Sequence, residues 1–495
     1  MKFTGRKREL QAVERFFQSP EAGLLILFGR RRVGKTSLLT HFIESRKLGG
    51  SFYWMATTHN TTFQLRDFSQ ALFHYDPRFK TAPAADFSFT TWEEAFNHLA
   101  DAVAQFSTPQ LVVMDEFTYL VRNDPALPSL LQRMWDHRFS RQPNFKLVLT
   151  GSLVGMMERE VISYHAPLYG RATALIRLRP LPYAALLDLF PERTPDERVA
   201  IYAVTGGVPA YLNLFTLAPT FVQALKEYCL AAGSIMLGDP AVMLHEQLKE
   251  PQTFESVLSA VGSGFHKWSE IAAMAGVSET SLSHYIRILE ELELIERRDP
   301  IFSSETGRKG QYFIHDRFLH FYYRFIVPHL SKIDRGLLDV AVTQIYEELR
   351  AFIGTYVFED LCREWTLSAG ALGKLDFEPE LVGSYWRQQR GQGVQLDVVA
   401  ANRREKKLLI GECKWGREPI SRNILLDLIE RSRRMPQVSE GWQAQYILFG
   451  REGFTPAARA AAQELGVRLV DLLELESTLA SIEQNGELQL KTAPV

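Results

Sequence analysis

Over residues 1 to about 180, short apolar runs alternate with stretches of helical periodicity. The runs are GLLILF from residue 23, SFYWMA from 51, LVVM from 111, KLVLT from 146 and ALIRL from 174. Each has strand length, with helices expected between them. That alternation predicts a parallel sheet covered on both faces, the α/β doubly wound plan. From 181 to 237 the pattern turns helical and is broken by Gly206, Gly207 and Pro209, as in a small helical lid following a sheet. Residues 240 to 330 change again. In HKWSEIAAMAGVSETSLSHYIRILEELELIERRDPIF, Gly276 and Ser278 split two helical periods, and a basic turn precedes QYFIHD. This is a helix-turn-helix pattern with a β wing. A further α/β segment spans 345 to 475, with strands at QLDVVAAN, KKLLIGECKW and QAQYILFG and helices around 350–364, 422–434 and 456–465. The final NGELQLKTAPV reads as a frayed end.

The length agrees with this division: 495 residues are about three domains of roughly 150. With 46% hydrophobic and 23% charged residues, the chain is ordinary globular material rather than collagenous, low-complexity or disordered. Three scattered cysteines, Cys229, Cys362 and Cys413, argue against a disulfide framework and structural zinc and fit a reducing cytoplasm. The basic N-terminus lacks a following apolar stretch, and no run approaches the roughly 20 residues of a membrane span, so neither export nor a membrane partner is expected. Lys+Arg 56 against Asp+Glu 58 is nearly neutral, but residues 386 to 434 are strongly basic, through Arg387, Arg390, Arg403, Arg404, Lys406, Lys407, Arg417, Arg422, Arg431, Arg433 and Arg434. Averaging over several domains conceals a region suited to nucleic acid.

The sharpest chemical signal is Gly29-Arg30-Arg31-Arg32-Val33-Gly34-Lys35-Thr36, a full G-x-x-x-x-G-K-[ST] between an apolar strand and a helical period that continues with Ser37. Glycines let backbone N–H groups converge on phosphates at a helix N-terminus. Lys35 offers a charge to the β and γ phosphates, and the Thr36 hydroxyl a ligand for Mg²⁺. Asp115, ending LVVM, supplies the carboxylate that holds the metal's water shell, and Glu116 next to it can polarise an attacking water. The strand placed between the two motifs in additional-strand ATPases is available as SFYWMA or a neighbour. After KLVLT, Thr150 or Ser152 stands where a γ-phosphate sensor would sit, and Arg171 in PLYGRAT is a candidate arginine finger.

Through FTGRKREL, FGRRRVGKTS, LVVMDEF, LTGS, PLYGR and TGGVP, residues 1–330 resemble the archaeal-type, AAA-like ATPases of the STAND group. The resemblance implies ATP, conformational switching and often a homo-oligomer. It also places the Phe3 to Glu9 box, with Arg6, beside the adenine, and Gly206-Gly207-Val208-Pro209 in the lid near the base.

In the helix-turn-helix, the second helix presents Glu279, Thr280, Ser281, Ser283, His284 and Arg287 outward, a face poor in base-reading side chains. Arg297, Arg298, Arg308 and Lys309 in the following turn offer phosphate contacts. The aromatic YFIHDRFLHFYYRFIVP after it reads as an interdomain core. The second constellation is Asp397 in QLDVVAA, then Glu412-Cys413-Lys414 in LLIGECKW, with Glu359 upstream in FEDLCREW, the order of a PD-(D/E)xK nuclease core. On a strand, 412 and 414 share one face and Cys413 points to the other as a small buried apolar group. Asp397 and Glu412 can then bind Mg²⁺, and Lys414 can position or deprotonate the nucleophile. This part resembles the nuclease-like domain of unknown function that accompanies such ATPases, with Leu396 in place of the usual proline. The expected function is an ATP-driven switch coupled to a domain that binds and cuts nucleic acid, DNA in preference to RNA. The alternative is a non-nucleolytic ATPase regulator whose winged helix binds DNA or a protein.

Overall fold

The computed structural model describes residues 3–48, 50–79, 84–303, 310–387 and 393–485. The chain forms two compact units, one of residues 6–181 with 243–248, the other of the residues up to Gly5, 182–242 and 249 onward.

In the first unit, β1 (Gly23–Phe28), β2 (Phe52–Met55), β3 (Gln110–Asp115), β4 (Phe145–Gly151) and β5 (Ala174–Arg177) form one sheet in the order β2-β3-β4-β1-β5. Every pairing is parallel. All five coincide with the apolar runs of the sequence. β1, β3 and β4 are buried at every position, which is why they read as continuous apolar runs rather than alternating ones. One expectation is corrected. SFYWMA does not supply the strand inserted between the motif-bearing strands: β2 lies at the sheet edge and pairs with β3, and the inserted strand is β4. The reason is burial. β2 has four residues, of which Tyr53 and Met55 are partly or largely exposed, whereas a central strand must be apolar throughout, as KLVLT nearly is. Over the sheet, Trp54, Phe68, Trp92 and Phe96 pack edge to face with centroids 5.2–6.0 Å apart.

The second unit begins with helices. Pro195–Thr205 opens with a capping box between Thr194 and Glu197, carries Pro at its first turn, and ends at Gly206. Gly206 has φ 60°, and a Cβ there would stand 2.8 Å from the Phe318 amide nitrogen, so only glycine fits. Trp268–Ala275 and Glu279–Glu291 form the helix-turn-helix, with Gly276 left-handed between them and Ser278 accepting the Ser281 N–H as an N-cap. Glu279, Thr280, Ser281, Ser283, His284 and Arg287 are all exposed. An antiparallel hairpin follows, β6 (Ile295–Arg298) with β7 (Gln311–Ile314). Arg308 and Lys309 lie outside the described residues. Phe318, Phe321, Tyr322, Tyr323 and Phe325 are buried, with Tyr211 4.2 Å from Phe318, so the aromatic run is core of this unit.

A second sheet contains β8 (Leu381–Arg387), β9 (Val394–Asn402), β10 (Lys407–Lys414), β11 (Gln443–Gly450) and β12 (Arg468–Asp471), in the order β12-β11-β10-β9-β8. β8 to β10 are antiparallel and β10 to β12 parallel. The helix Glu359–Ala371 packs on β8 and β9, and Arg422–Ser432 on β9 and β10. Leu472–Asn485 is fastened to the helices after residue 182. There the buried Glu476 carboxylate accepts from Arg198 at 2.7 and 2.8 Å and from the Tyr183 hydroxyl at 2.6 Å. Among the described residues no helix is long and apolar enough to cross a membrane.

Candidate functional site

The loop after β1 is shaped by two glycines. A Cβ on Gly29 would lie 2.2 Å from the Leu178 carbonyl oxygen, and Gly34, φ 96°, caps the helix Lys35–Arg46. The first N–H groups of that helix have no intrahelical acceptor, which makes its start an anion site. Lys35 is buried and donates to the Gly29 and Arg30 carbonyls at 2.8 and 3.3 Å, with Glu116 3.8 Å away. Burial lowers its pKa while Glu116 and Asp115 oppose that shift. Thr36 and Ser37 are exposed at the helix start. Arg32 has φ 67°. Arg31 pairs with Glu246 at 2.8 Å. Buried Arg6 clamps the loop from outside, donating to the Val33 carbonyl at 2.9 Å and the Arg179 carbonyl at 2.7 Å.

Asp115 ends β3 fully buried. One carboxylate oxygen accepts from the Thr36 hydroxyl at 2.8 Å and from the Tyr53 hydroxyl; the other accepts from the Thr150 hydroxyl and, at 3.0 Å, the Glu116 amide. Glu116 is left-handed at φ 54°, a conformation that costs a non-glycine residue roughly 1–2 kcal/mol. It turns the side chain so that one oxygen accepts from the Ser152 amide at 3.0 Å and its hydroxyl at 2.7 Å. At this site, Tyr53 is a residue that sequence reading missed. Its signal was a phenol on an otherwise apolar strand adjacent to β3. Arg171 is held by Asp136 through two bonds of 2.9 Å and by the Pro167 and Tyr169 carbonyls. Pro209 opens the helix Pro209–Phe215 of the other unit.

On the second sheet, Asp397 of β9 accepts the Cys413 N–H at 3.0 Å. Glu412 and Lys414 share a face of β10, 2.6 Å apart, and the second oxygen of Glu412 accepts from Arg431 at 2.7 Å. Cys413 is buried beside the Cys362 thiol, as a small apolar group should be. Glu359 begins its helix. One turn on, Arg363 pairs with Glu359 at 3.3 Å and Asp360 at 2.6 Å and donates to the Asp397 carbonyl at 2.8 Å. Burial, then the Asp397 charge, push the Glu359 carboxyl up to about 8. Burial, then Glu412, also raise Asp397. Burial works to lower Lys414, but the hydrogen bond and charge of Glu412, with the Asp397 charge, together raise it. Among the described residues, no group of three or more His, Cys, Asp or Glu is gathered as a metal cluster. Arg363 and Arg431 went unrecognised as site residues, since charged side chains in amphipathic helices carry no distinctive spacing.

Two charge expectations change. Arg298 is not a phosphate contact of the hairpin: its guanidinium is taken by Glu296 at 2.5 Å and Asp360 at 3.1 Å and lies over the Phe313 ring at 4.7 Å. The basic turn Arg403, Arg404, Lys406 and Lys407 lies at the far end of β9 from Asp397, about 20 Å along a strand rising ~3.3 Å per residue. It is therefore remote from the carboxylates. Arg390 lies outside the described residues.

With a glycine loop on a helix N-terminus, a buried Asp115 ending β3 with Glu116 directly after it, and β4 inserted between the two strands, the chain carries an ATPase domain of the archaeal P-loop type. Residues 3–215 match an ATPase domain described as predominantly from Archaea, and residues 322–425 match DUF234, described for archaeal and bacterial proteins of unknown function. The chain is similar, at 29% identity over 91% of its length and 96% of the relative's, to the uncharacterized protein MJECL04 of Methanocaldococcus jannaschii. Among solved structures it is similar to the Walker-type ATPase PABY2304 of Pyrococcus abyssi, with 22% identity, a TM-score of 0.49, and coverage of 64% of this chain and 95% of that one. It is also similar to the ORC2 protein of Aeropyrum pernix, at 13% identity and a TM-score of 0.42, over 70% of this chain and 96% of that one.

Proposed function

We propose that the protein is an ATP-driven switch whose second sheet binds nucleic acid and cuts it with a divalent metal. The observation that carries this reading is the meeting of Asp397, Glu412 and Lys414 on neighbouring strands, with Glu359 close enough for the Asp397 charge to raise it.

At the nucleotide site the residues fit Mg²⁺: the Thr36 hydroxyl, exposed at the helix start, and the buried Asp115 carboxylate stand 2.8 Å apart. Lys35 would leave the loop carbonyls for the β and γ phosphates, and Glu116, oriented by Ser152, would polarise a water. Arg171 acts as a finger only after its pair with Asp136 opens. Arg6 fixes the loop beside the base, and Pro209 belongs to the lid. At the carboxylates the fit rests on charge. Burial and neighbouring carboxylates raise Glu359 and Asp397 in spite of Arg363, and the second oxygen of Asp397 has no donor among the described residues. Glu412 would exchange one of its two ion pairs. A bound metal supplies Lewis-acid polarisation of a phosphate and an activated water. Lys414 holds its proton beside Glu412 and positions the anion under attack.

The helix-turn-helix with β6 and β7 is a winged helix in this reading, binding DNA or relaying movement, and self-association accompanies the ATPase cycle. The doubly paired Glu412 favours a second reading, a non-nucleolytic regulator in which Arg431 and Lys414 stand in for the metal. Incubation with ATP, Mg²⁺ or Mn²⁺ and assorted DNA or RNA separates the two. The nuclease reading requires cleavage that Asp397→Ala abolishes while ATP hydrolysis continues. Absence of cleavage with either metal in every nucleotide state leaves the regulator.

A further inference from the structure

A cleft of about 460 Å³ opens between the β6–β7 hairpin and the second sheet, within one compact unit. Its walls come from Phe313 of β7, Tyr356 and Glu359 of the helical stretch before β8, Trp386 and Arg387 of β8, and Gln395 of β9. The Glu359 carboxylate is in the wall. Arg363, also in the wall, reaches the Asp397 backbone carbonyl at 2.8 Å, so the cleft runs up to Glu359 and stops one side chain short of Asp397.

Its chemistry is that of a strand-binding groove. Trp386 is half-buried on the edge strand, and among the described residues no aromatic ring stacks on it. Arg387, next along, is exposed and has no ion pair among the described residues. The other cations are already engaged: Arg298 and Arg363 share Asp360. Burial holds His266 toward its neutral form, with one ring nitrogen bonded to the Tyr312 backbone and the other to the Tyr356 hydroxyl. Trp386 and Arg387 leave the strand on opposite faces but both reach the cleft lining at the strand's end, an indole without a ring partner and a guanidinium without an ion pair among the described residues, which is what single strands use: a base stacks and a phosphate finds the cation. The volume sets the limit. It lies near the lower end of the roughly 300–1,000 Å³ of small-ligand pockets, space for a nucleotide or two and not for a duplex whose major groove alone is ~12 Å wide.

We propose that this cleft receives an unpaired strand of nucleic acid, one base stacked on Trp386 and its phosphate held by Arg387, and thereby delivers the backbone toward Glu359, Asp397 and Glu412. The inference rests on the nucleic-acid reading above and narrows it to single strands, or to the frayed ends and flaps of duplexes.

The test is binding, measured in EDTA so that cleavage plays no part. Anisotropy of fluorescein-labelled 12-nucleotide single-stranded DNA, the same RNA and a blunt 12-base-pair DNA duplex is titrated with full-length wild type, Trp386→Ala, Trp386→Phe, Arg387→Glu and the remote Arg403→Glu/Arg404→Glu pair. The expectation is tighter binding of single strands than of duplex. Trp386→Ala should weaken it by about 5- to 150-fold, the range for losing one base–aromatic stack. Trp386→Phe should restore most of that loss, and Arg387→Glu should weaken single strands more than the remote pair does. The DNA and RNA arms tell which strand is preferred without altering the proposal. Equal affinity for duplex, or single-strand binding untouched by Trp386→Ala but reduced by the remote pair, overturns the cleft assignment. If the Trp386 effect is present and no metal restores cleavage, the cleft stands and the nuclease reading falls. If no nucleic acid binds, both fall. Melting temperatures within a few degrees of wild type show that the variants fold.

Discussion

Exchanging Glu116 for Gln isolates one charge in the nucleotide site. The side chain sits at φ 54°, and one oxygen accepts from the Ser152 amide at 3.0 Å and hydroxyl at 2.7 Å. A glutamine has the same shape and one carbonyl oxygen, so it keeps both acceptor contacts and bears the same backbone penalty of roughly 1–2 kcal/mol. Thermal stability should therefore move by no more than about 0.5 kcal/mol. What is lost is the negative charge beside Lys35 and the capacity to take a proton from water. Loss of a general base costs about 10²–10⁴ in turnover, some 3–5 kcal/mol of barrier. Ser152→Ala offers a graded comparison. It deletes a charge-assisted bond worth about 1.5–3 kcal/mol and leaves the amide in place, so turnover should fall by roughly 10- to 100-fold. The assay is phosphate release at saturating Mg-ATP, paired with equilibrium binding of a fluorescent ATP analogue. The reasoning is refuted if Glu116→Gln hydrolyses within tenfold of wild type. It is equally refuted if the variant melts normally but no longer binds nucleotide, since the carboxylate would then serve binding rather than water.

Three further outcomes are expected. Lys35→Ala should abolish hydrolysis and weaken nucleotide binding, read in the same two assays, because the phosphates lose the loop's lysine. Arg298→Ala should destabilise the second unit by about 3–5 kcal/mol in a denaturant titration, since Asp360, held far below the usual carboxylate range against its burial by Arg298 and Arg363, loses a counter-charge; an unchanged midpoint would show the pair to be dispensable. His320 is buried, and burial first, with His266 and Arg298 adding, lowers its pKa to about 3 from 6.5. The unfolded chain therefore binds the extra proton between pH 6.5 and 3, and stability should fall with falling pH across that window by at most about 1.4 kcal/mol per unit. His320→Phe should flatten that slope in melts taken from pH 7 to pH 4.

The first sheet was legible because each strand is wholly or largely apolar, and burial on two faces leaves that mark. Its spatial order was not, since strand sequence carries no record of which neighbour it pairs with, and SFYWMA proved to be the edge. On the second sheet, β9, β10 and β11 stood out, while β8 and β12 did not. LVGSYWR is half-exposed along most of its length, and RLVD has four residues. The groupings suggested by motif spacing, Gly29 to Thr36 and Asp397 with Glu412 and Lys414, are ones that the fold also brings together. Tyr53, Arg363 and Arg431 were not suggested by spacing, because each reaches its site through tertiary packing. Arg298 shows the converse, a charge that looked available in a basic turn and is spent on Asp360.

Glu476 bears on how the protein can be dissected. Its carboxylate sits buried against Arg198 and Tyr183, and near it Arg451 pairs with Asp196. A shortened chain ending before residue 472 would strand the Arg198 guanidinium in the interior with no anion, at a cost of about 3–5 kcal/mol, a large share of what holds a domain together. The last helix is thus a folding requirement for the helices after residue 182 as well as for its own sheet. Any attempt to study residues 182 to 330 alone should replace Arg198 and Tyr183 with apolar residues of similar volume, or supply the missing helix in trans.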